Sequence, residues 1–419
     1  MKRLIAGLGC DGRPAALTRA VTARRMAVSA EAPTLALVPS QEEQMLREAV
    51  AGIASGFGAP YIREKVASGE PPTELWTALA EKGYLGVNVP EDYDGGGRGM
   101  TELAAVGEEL ALAGCPLLLL VVSPAIAGSV LARHGTPEQK DRWLRGIGRG
   151  DLKIAFAITE PDAGTNTHNL STKATRRNGA YVIRGTKTFI SGVEDADALL
   201  VVTRTGTNEE TGRGLLSLFL VDVDAPGLER QPVPTAPRNA DRQWLLFFDD
   251  VEVPAQRLVG PEHYGLAAVF DGLNPERIMT AAFALGAGRR ALGMASKYAR
   301  ERVVWNAPIG SHQGISHPLA EAKIELELAA LMTRKACALY DAGAKGAGEA
   351  SNMAKYAAAE AAVKCVDRAI QTHGGNGVAL EYGLAEMWWG VRTMKIAPVS
   401  REMILNYVAE HSLGLPRSY

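Results

Sequence analysis

Read by the spacing of its apolar residues, the chain falls into three stretches: helical, extended, then helical again. Within residues 41–54, Met45, Leu46, Val50 and Ile53 recur near the helical period. The same spacing predicts helices over 73–82, 101–113 and 124–134. Thr136, Pro137 and Glu138 form a cap, a first-turn proline and an acid, which starts a helix ending near Leu144. From Leu152 to about Val259 the period shortens to that of strands, predicted at 171–176, 181–184, 187–191, 198–205, 216–221, 244–249 and 251–254. Gly, Asn and Asp punctuate them. Helical spacing then returns, with long helices expected over 276–302, 318–342 and 349–372. Their small residues suit close bundle packing.

A chain of 419 residues is long for one domain, so two or three subdomains follow. The boundaries read from the pattern are 1–38 as a disordered or extension segment, 39–152 helical, 153–262 β and 263–419 helical. The fold class is α+β. A net charge of −2, with no block of Lys/Arg interleaved with aromatics, gives no signature for nucleic acid. Cys10, Cys115, Cys337 and Cys365 are scattered, which argues against a disulfide framework and for a reducing, cytoplasmic setting. The histidines show no metal-ligand spacing, so no metal is expected; His312 and His317 read as loop residues. Pro116–Ser123 is strongly apolar but too short to span a bilayer, and reads as a buried helix; no integral membrane segment is expected. Residues 1–35 carry Arg3, Arg13, Arg19, Arg24 and Arg25 with Asp11 as the one acid before Glu31. That composition fits a mitochondrial transit peptide, an unstructured tail, or codons upstream of a start at Met26.

Two segments carry candidate chemistry. Phe156-Ala-Ile-Thr159-Glu160-Pro161-Asp-Ala163-Gly164-Thr165-Asn166 is an apolar run entering a turn of hydroxyls. It suits a flat heteroaromatic ring edged with hydrogen-bonding atoms and followed by a phosphate, or an ordinary surface turn. Gly185-Thr-Lys187-Thr-Phe189-Ile190-Ser191-Gly192 places an aromatic and a hydroxyl two residues apart, on one face of a strand. Pro90-Glu91-Asp-Tyr93-Asp-Gly95-Gly96-Gly97 precedes them, and Gln371-Thr-His-Gly374-Gly375-Asn376-Gly377 follows.

In this order the four motifs resemble those of the acyl-CoA dehydrogenase family, from about Gln41 to the C-terminus. The resemblance implies an N-terminal helical domain, a central β-barrel-like domain and a C-terminal four-helix bundle. It implies FAD as cofactor, an acyl-CoA substrate, an electron-transfer flavoprotein as electron acceptor, and a homo-oligomer, dimer or tetramer. The reaction it implies is α,β-dehydrogenation: a carboxylate takes the α proton and flavin N5 takes the β hydride. Other readings on the same fold are a flavin oxidase or monooxygenase, a dehydrogenase acting on a carrier-protein thioester, and a flavin-binding protein without turnover.

Most of the family places its base in a late Tyr-Glu-Gly-Thr loop. The matching stretch here is Ile396-Ala397-Pro398-Val399-Ser400, with Pro398 in the Glu position. A minority, isovaleryl-CoA dehydrogenase-like, carries the Glu in a Leu-Asp-Leu-Glu-Arg helix motif. Leu273-Asn274-Pro275-Glu276-Arg277 matches it, which makes Glu276 the candidate base and Arg277 an organising residue. The same residues also read as a helix start, with Asn274 as cap, Pro275 in the first turn and Glu276 at the positive dipole end. Burial raises the pKa of such a Glu; a helix N-terminus and Arg277 lower it. Proline also removes an N–H that the family uses on the thioester carbonyl, leaving Val399 N–H as one replacement. By the same resemblance Phe156, Ile158, Thr159, Thr165, Phe189 and Ser191 line the flavin. Arg302, Trp305 and Gln313 grip the neighbouring subunit's FAD, with Gln371, Gly374 and Gly375 on its adenosine side. Alone, those glycines also read as a helix end. Ser400 and Glu402 stand where the family has a Thr and a Gln on FAD.

Overall fold

The computed structural model describes residues 35–236 and 239–417. The expectation for the Arg-rich N-terminus lies outside the described residues.

The first helical layer comprises α1 (Gln41–Ser55), α2 (Gly58–Ser68), α3 (Thr73–Ala80), α4 (Met100–Ala113), α5 (Ser129–His134), α6 (Pro137–Gln139) and α7 (Arg145–Arg149). Ser40 caps α1 by accepting the Glu43 N–H. Thr136 does so for α6 within a reciprocal capping box, as its sequence predicts. Helix α2 was not expected; it buries none of its residues fully and packs only Tyr61 and Ile62 against the helical core. Pro124, expected to open a helix, instead lies inside a π-helical segment, Val121–Gly128, that runs into α5. The wider turn accommodates a residue without an N–H. This segment is buried throughout.

The extended region forms β1 (Ile154–Ala157), β2 (Lys173–Arg177), β3 (Ala180–Ser191), β4 (Ala198–Thr207), β5 (Gly214–Asp222), β6 (Leu228–Val233), β7 (Gln243–Pro254) and β8 (Leu258–Val259). They make one sheet in the order β6-β7-β3-β2-β4-β5-β8, with β1 parallel to β4. One face closes over Tyr181, Ile183, Leu199, Val201, Phe219 and Leu246. Alternate residues Leu200, Val202, Leu218 and Leu220 join the helical core. The two strands expected at 181–184 and 187–191 are one. Gly185 (φ 147°) bends it where an added Cβ would lie 2.6 Å from Thr172 Cα. A bulge between Lys187 and Ile190 then shifts the register against β7. The edge strand β6 escaped notice because its residues are mostly exposed and carry no alternation.

The second helical layer holds α8 (Gly265–Glu301), α9 (Gln313–Asp341), α10 (Ala347–His373), α11 (Leu384–Thr393) and α12 (Arg401–Tyr407). A small hairpin, β9 (Val303–Val304) with β10 (Ala307–Pro308), joins α8 to α9. The bundle thus has three long helices, with the short α11 and α12 packed on α10. His317, expected in a loop, lies inside α9, and His312 precedes its first turn.

Glycines bring α8 against its neighbours. A Cβ at Gly286 would lie 2.3 Å from Glu108 O of α4. At Gly272 it would lie 2.9 Å from Ile126 of the π-helical segment, and at Gly265 2.7 Å from the Leu216 backbone of β5. Among the described residues no helix is long and apolar enough to cross a membrane, and no cluster of His, Cys, Asp and Glu is placed to hold a metal.

Candidate active site

Asn274, Pro275 and Glu276 do not start a helix. They sit inside α8, which begins at Gly265. An interior proline leaves the carbonyl four residues back without its usual donor. Here that carbonyl belongs to Asp271, and Tyr340 Oη of α9 donates to it at 3.1 Å. The tertiary contact thus fills the gap that proline opens. Asn274 does not cap; its Oδ1 accepts from Arg277 Nη1 at 2.9 Å.

The helix-dipole effect on Glu276 therefore falls away, since the residue lies beyond the first turn. Burial dominates, against the lowering pull of Arg277 and Lys355, and the pKa rises to about 7. The side chain is half-buried, and among the described residues nothing donates a hydrogen bond to its carboxylate. Arg277 is itself desolvated, which lowers its pKa against Glu276 and Tyr407, and its Nε is buried without a partner among the described residues. A desolvated carboxylate that titrates at about 7 and accepts no hydrogen bond is a stronger base than an ordinary one, and can take a proton from a weak carbon acid.

Across from α8, Lys355 of α10 is 1% exposed, and its Nζ donates to Val399 O at 2.7 Å. Burial and then Arg277 lower its pKa to about 8, against Glu276. The sequence carries a signal that went unread: Ser351, Lys355, Ala358, Ala362, Val366 and Ala369 form one buried stripe, and the lysine lies within it. Val399 belongs to the loop with Pro398, whose residue is exposed. Ser400 caps α12 by accepting the Met403 N–H, and Glu402 is exposed in the first turn of that helix.

The π-helical segment ties α8 to the β domain. Ile154 N–H of β1 donates to Ser123 Oγ at 3.1 Å. Phe156 is buried in the helical core, whereas its neighbours Ala155 and Ala157 point into the sheet's own core. Ile158 and Thr159 are half-buried and Thr165 is exposed. The turn after β1 is braced from beneath. Glu160 accepts from Ser171 N–H and Oγ, from Thr172 N–H, and from Lys187 Nζ at 2.9 Å. Lys187 also donates to Ile158 O, at 2.8 Å. Burial alone would raise the Glu160 pKa, but Lys187 and these donors hold it at about 2. This ion pair, fully buried, is structural, and sequence reading missed it because its members stand 27 residues apart.

Phe189 has φ 56° and is 57% exposed, because the bulge turns it out of the strand. The simple two-residue alternation with Ser191 does not hold across that bulge; Ser191 Oγ donates to Gln243 Oε1 at 3.0 Å. The result is an outward aromatic beside half-buried hydroxyls.

The remaining residues lie at the far end of α8 and α10. Arg302, Trp305, Gln313, Gln371, Gly374 and Gly375 are all exposed, Trp305 at 88%. Tyr298 of α8 stacks on His373 of α10 at 4.3 Å, which holds the two helix ends together. Gly374 ends α10 with φ 59°, so the helix-end reading of these glycines is also satisfied. Helix rise separates Glu276 from Arg302 by about 39 Å. Two open clefts, of 560 and 650 Å³, are lined by neither Glu276, Phe156 nor Phe189.

The N-terminal, middle and C-terminal domain models of acyl-CoA dehydrogenase match residues 40–151, 155–251 and 263–413. This chain belongs to the acyl-CoA dehydrogenase family. It is 53% identical to acyl-CoA dehydrogenase FadE12 of Mycobacterium tuberculosis, over 91% of this chain and 98% of that one. Among solved structures it is similar to glutaryl-CoA dehydrogenase in complex with glutaryl-CoA. There the TM-score is 0.86 and the identity 29%, over 91% of this chain and 97% of that one. It is also similar to PigA with FAD and proline, at a TM-score of 0.84 and 26% identity over 90% and 99% of the two chains.

As an acyl-CoA dehydrogenase family member the chain is an oxidoreductase, and membership implies a flavin cofactor. The residues present fit such a group: an exposed aromatic on a bulge, hydroxyls around it, and a braced turn with open space at Gly164.

Proposed function

We propose that this acyl-CoA dehydrogenase family member oxidises an acyl-CoA thioester between its α and β carbons, with Glu276 as the base. The observation that carries the reading is one carboxyl group, desolvated within α8, free of hydrogen-bond donors among the described residues and held near neutrality. FAD, when bound, accepts the β hydride. Phe156, Ile158, Thr159, Thr165, Phe189 and Ser191 would hold its ring system and pyrophosphate. Ser400 and Glu402 would contact it from α12.

Glu276 takes the α proton onto a carboxylate oxygen. Arg277, held by its hydrogen bond to Asn274, supplies a positive charge near Glu276. Pro398 cannot donate to the thioester carbonyl. Val399 N–H, which has no protein partner among the described residues, is the replacement donor. An electron-transfer flavoprotein would be the electron acceptor. The buried free thiols Cys115, Cys337 and Cys365 suit a reducing, cytoplasmic setting. The exposed set Arg302, Trp305, Gln313, Gln371, Gly374 and Gly375, about 39 Å along α8 from the base, serves the FAD of a second subunit.

The test is anaerobic titration of the purified yellow protein with a panel of acyl-CoA thioesters, read as bleaching of the flavin. Glu276→Gln should slow bleaching by about a hundredfold or more. Normal bleaching in that variant removes Glu276 from the mechanism. A second reading, a flavin oxidase on this fold, is favoured by one observation: proline where the family's loop carboxylate stands. Oxygen uptake at the rate of turnover supports it.

A further inference from the structure

The Lys395–Arg401 segment lacks the loop carboxylate, yet it is tied to α10 at three points. Glu360 holds both ends of it: Lys395 Nζ and Arg401 Nε each donate to its carboxylate at 2.8 Å. Arg401 N–H closes the loop on Lys395 O at 3.2 Å. Between these ends Lys355 Nζ reaches Val399 O. A surface loop without a task does not need an ammonium group buried beneath it. A buried lysine without a carboxylate partner is costly, and an apolar side chain would fill the space more cheaply.

We propose that Lys355 is a positioning residue for the Glu276 reaction. It ties the Val399 carbonyl to α10, which restrains the residue whose N–H follows Pro398, and it adds a positive charge to the surroundings of Glu276. This rests on the reading of Glu276 as the base. Arg277 acts electrostatically on Glu276 from its own helix and Lys355 from α10; Glu360 of α10 and Glu402 of α12 act on Lys355, and Tyr407 of α12 on Arg277. Among the described residues, Arg277 and Lys355 are the charged groups that act on Glu276.

The sign of the effect follows. A nearby cation favours the carboxylate, so losing it moves the base's titration upward. The experiment compares wild type with Lys355→Met, Lys355→Gln and Lys355→Arg. Each is titrated from pH 5 to 9 with whichever of butyryl-, isovaleryl- or octanoyl-CoA bleaches the wild-type flavin fastest. Amide hydrogen exchange of residues 396–400 is measured on the same samples. In Lys355→Met the acid limb of the bleaching rate should move up by about one pH unit, and exchange should rise about tenfold. Lys355→Gln keeps a donor without the charge, so its limb should move while its exchange stays low. Lys355→Arg should keep the wild-type limb.

A folded, flavin-replete Lys355→Met with an unmoved limb and unchanged exchange overturns the proposal. So does failure of both neutral variants to fold, which would assign the lysine to stability alone. If wild type bleaches with no thioester, or if Glu276→Gln bleaches normally, it is the reading of Glu276 that falls instead.

Discussion

At the scale of single residues, the site joins two carboxyl groups with opposite fates. Glu160 is surrounded by donors and its pKa is held at about 2; Glu276 has none, and burial raises its pKa to about 7. For Glu276 the folded-state pKa lies above the unfolded one. Wild type should therefore match Glu276→Gln in stability at low pH, lose ground as pH rises from the ordinary carboxyl range to about 7, and then hold a constant deficit. Thermal melts of both proteins between pH 4 and 9 check this; a pH-independent difference would contradict it. Glu160 and Lys187 make the opposite case. Lys187→Met leaves a buried carboxylate with its three neutral donors but no counter-charge and should destabilise by about 3 kcal/mol, with loss of bound flavin. Adding Glu160→Gln should recover part of that loss, as urea titrations of the single and double variants would show.

At the scale of elements, α8 shows how a breaker is tolerated. Tyr340→Phe should cost about 1 kcal/mol, because it leaves the Asp271 carbonyl unpaired. In a Pro275→Ala background, where the helix supplies its own N–H, the same change should cost much less. Equal losses in both backgrounds would show that Tyr340 acts through packing. This contact also explains the misplaced start of α8. Proline after asparagine looks like a first turn, and only a hydroxyl from another helix reveals that it is not. Strands β4 and β5 were legible, since alternate residues serve two cores. Strand β3 was split in reading because Gly185 and the bulge break its period, and that bulge also turns Phe189 outward. Glu276 and Arg277 were legible through resemblance alone. Lys355 was missed because its acceptor lies 44 residues away on a backbone carbonyl, which no side-chain pattern announces.

At the scale of the whole molecule, the candidate groups divide between the two ends of the long helices. We expect the far-end set to act on a second subunit's cofactor. Trp305→Ala should then lower flavin content, and dilution that dissociates the oligomer should release flavin in parallel. Full flavin retention by a monomer in sedimentation would refute this sharing.

The length of α8 acts as a ruler. Close packing at Gly265, Gly272 and Gly286 leaves no room for a side chain against β5, the π-helical segment and α4. Inserting one residue between Glu276 and Arg302 would swing one end about 100° around the axis relative to the other. The count of residues in that rod cannot change by one without turning either Glu276 or the far-end set away from its present direction.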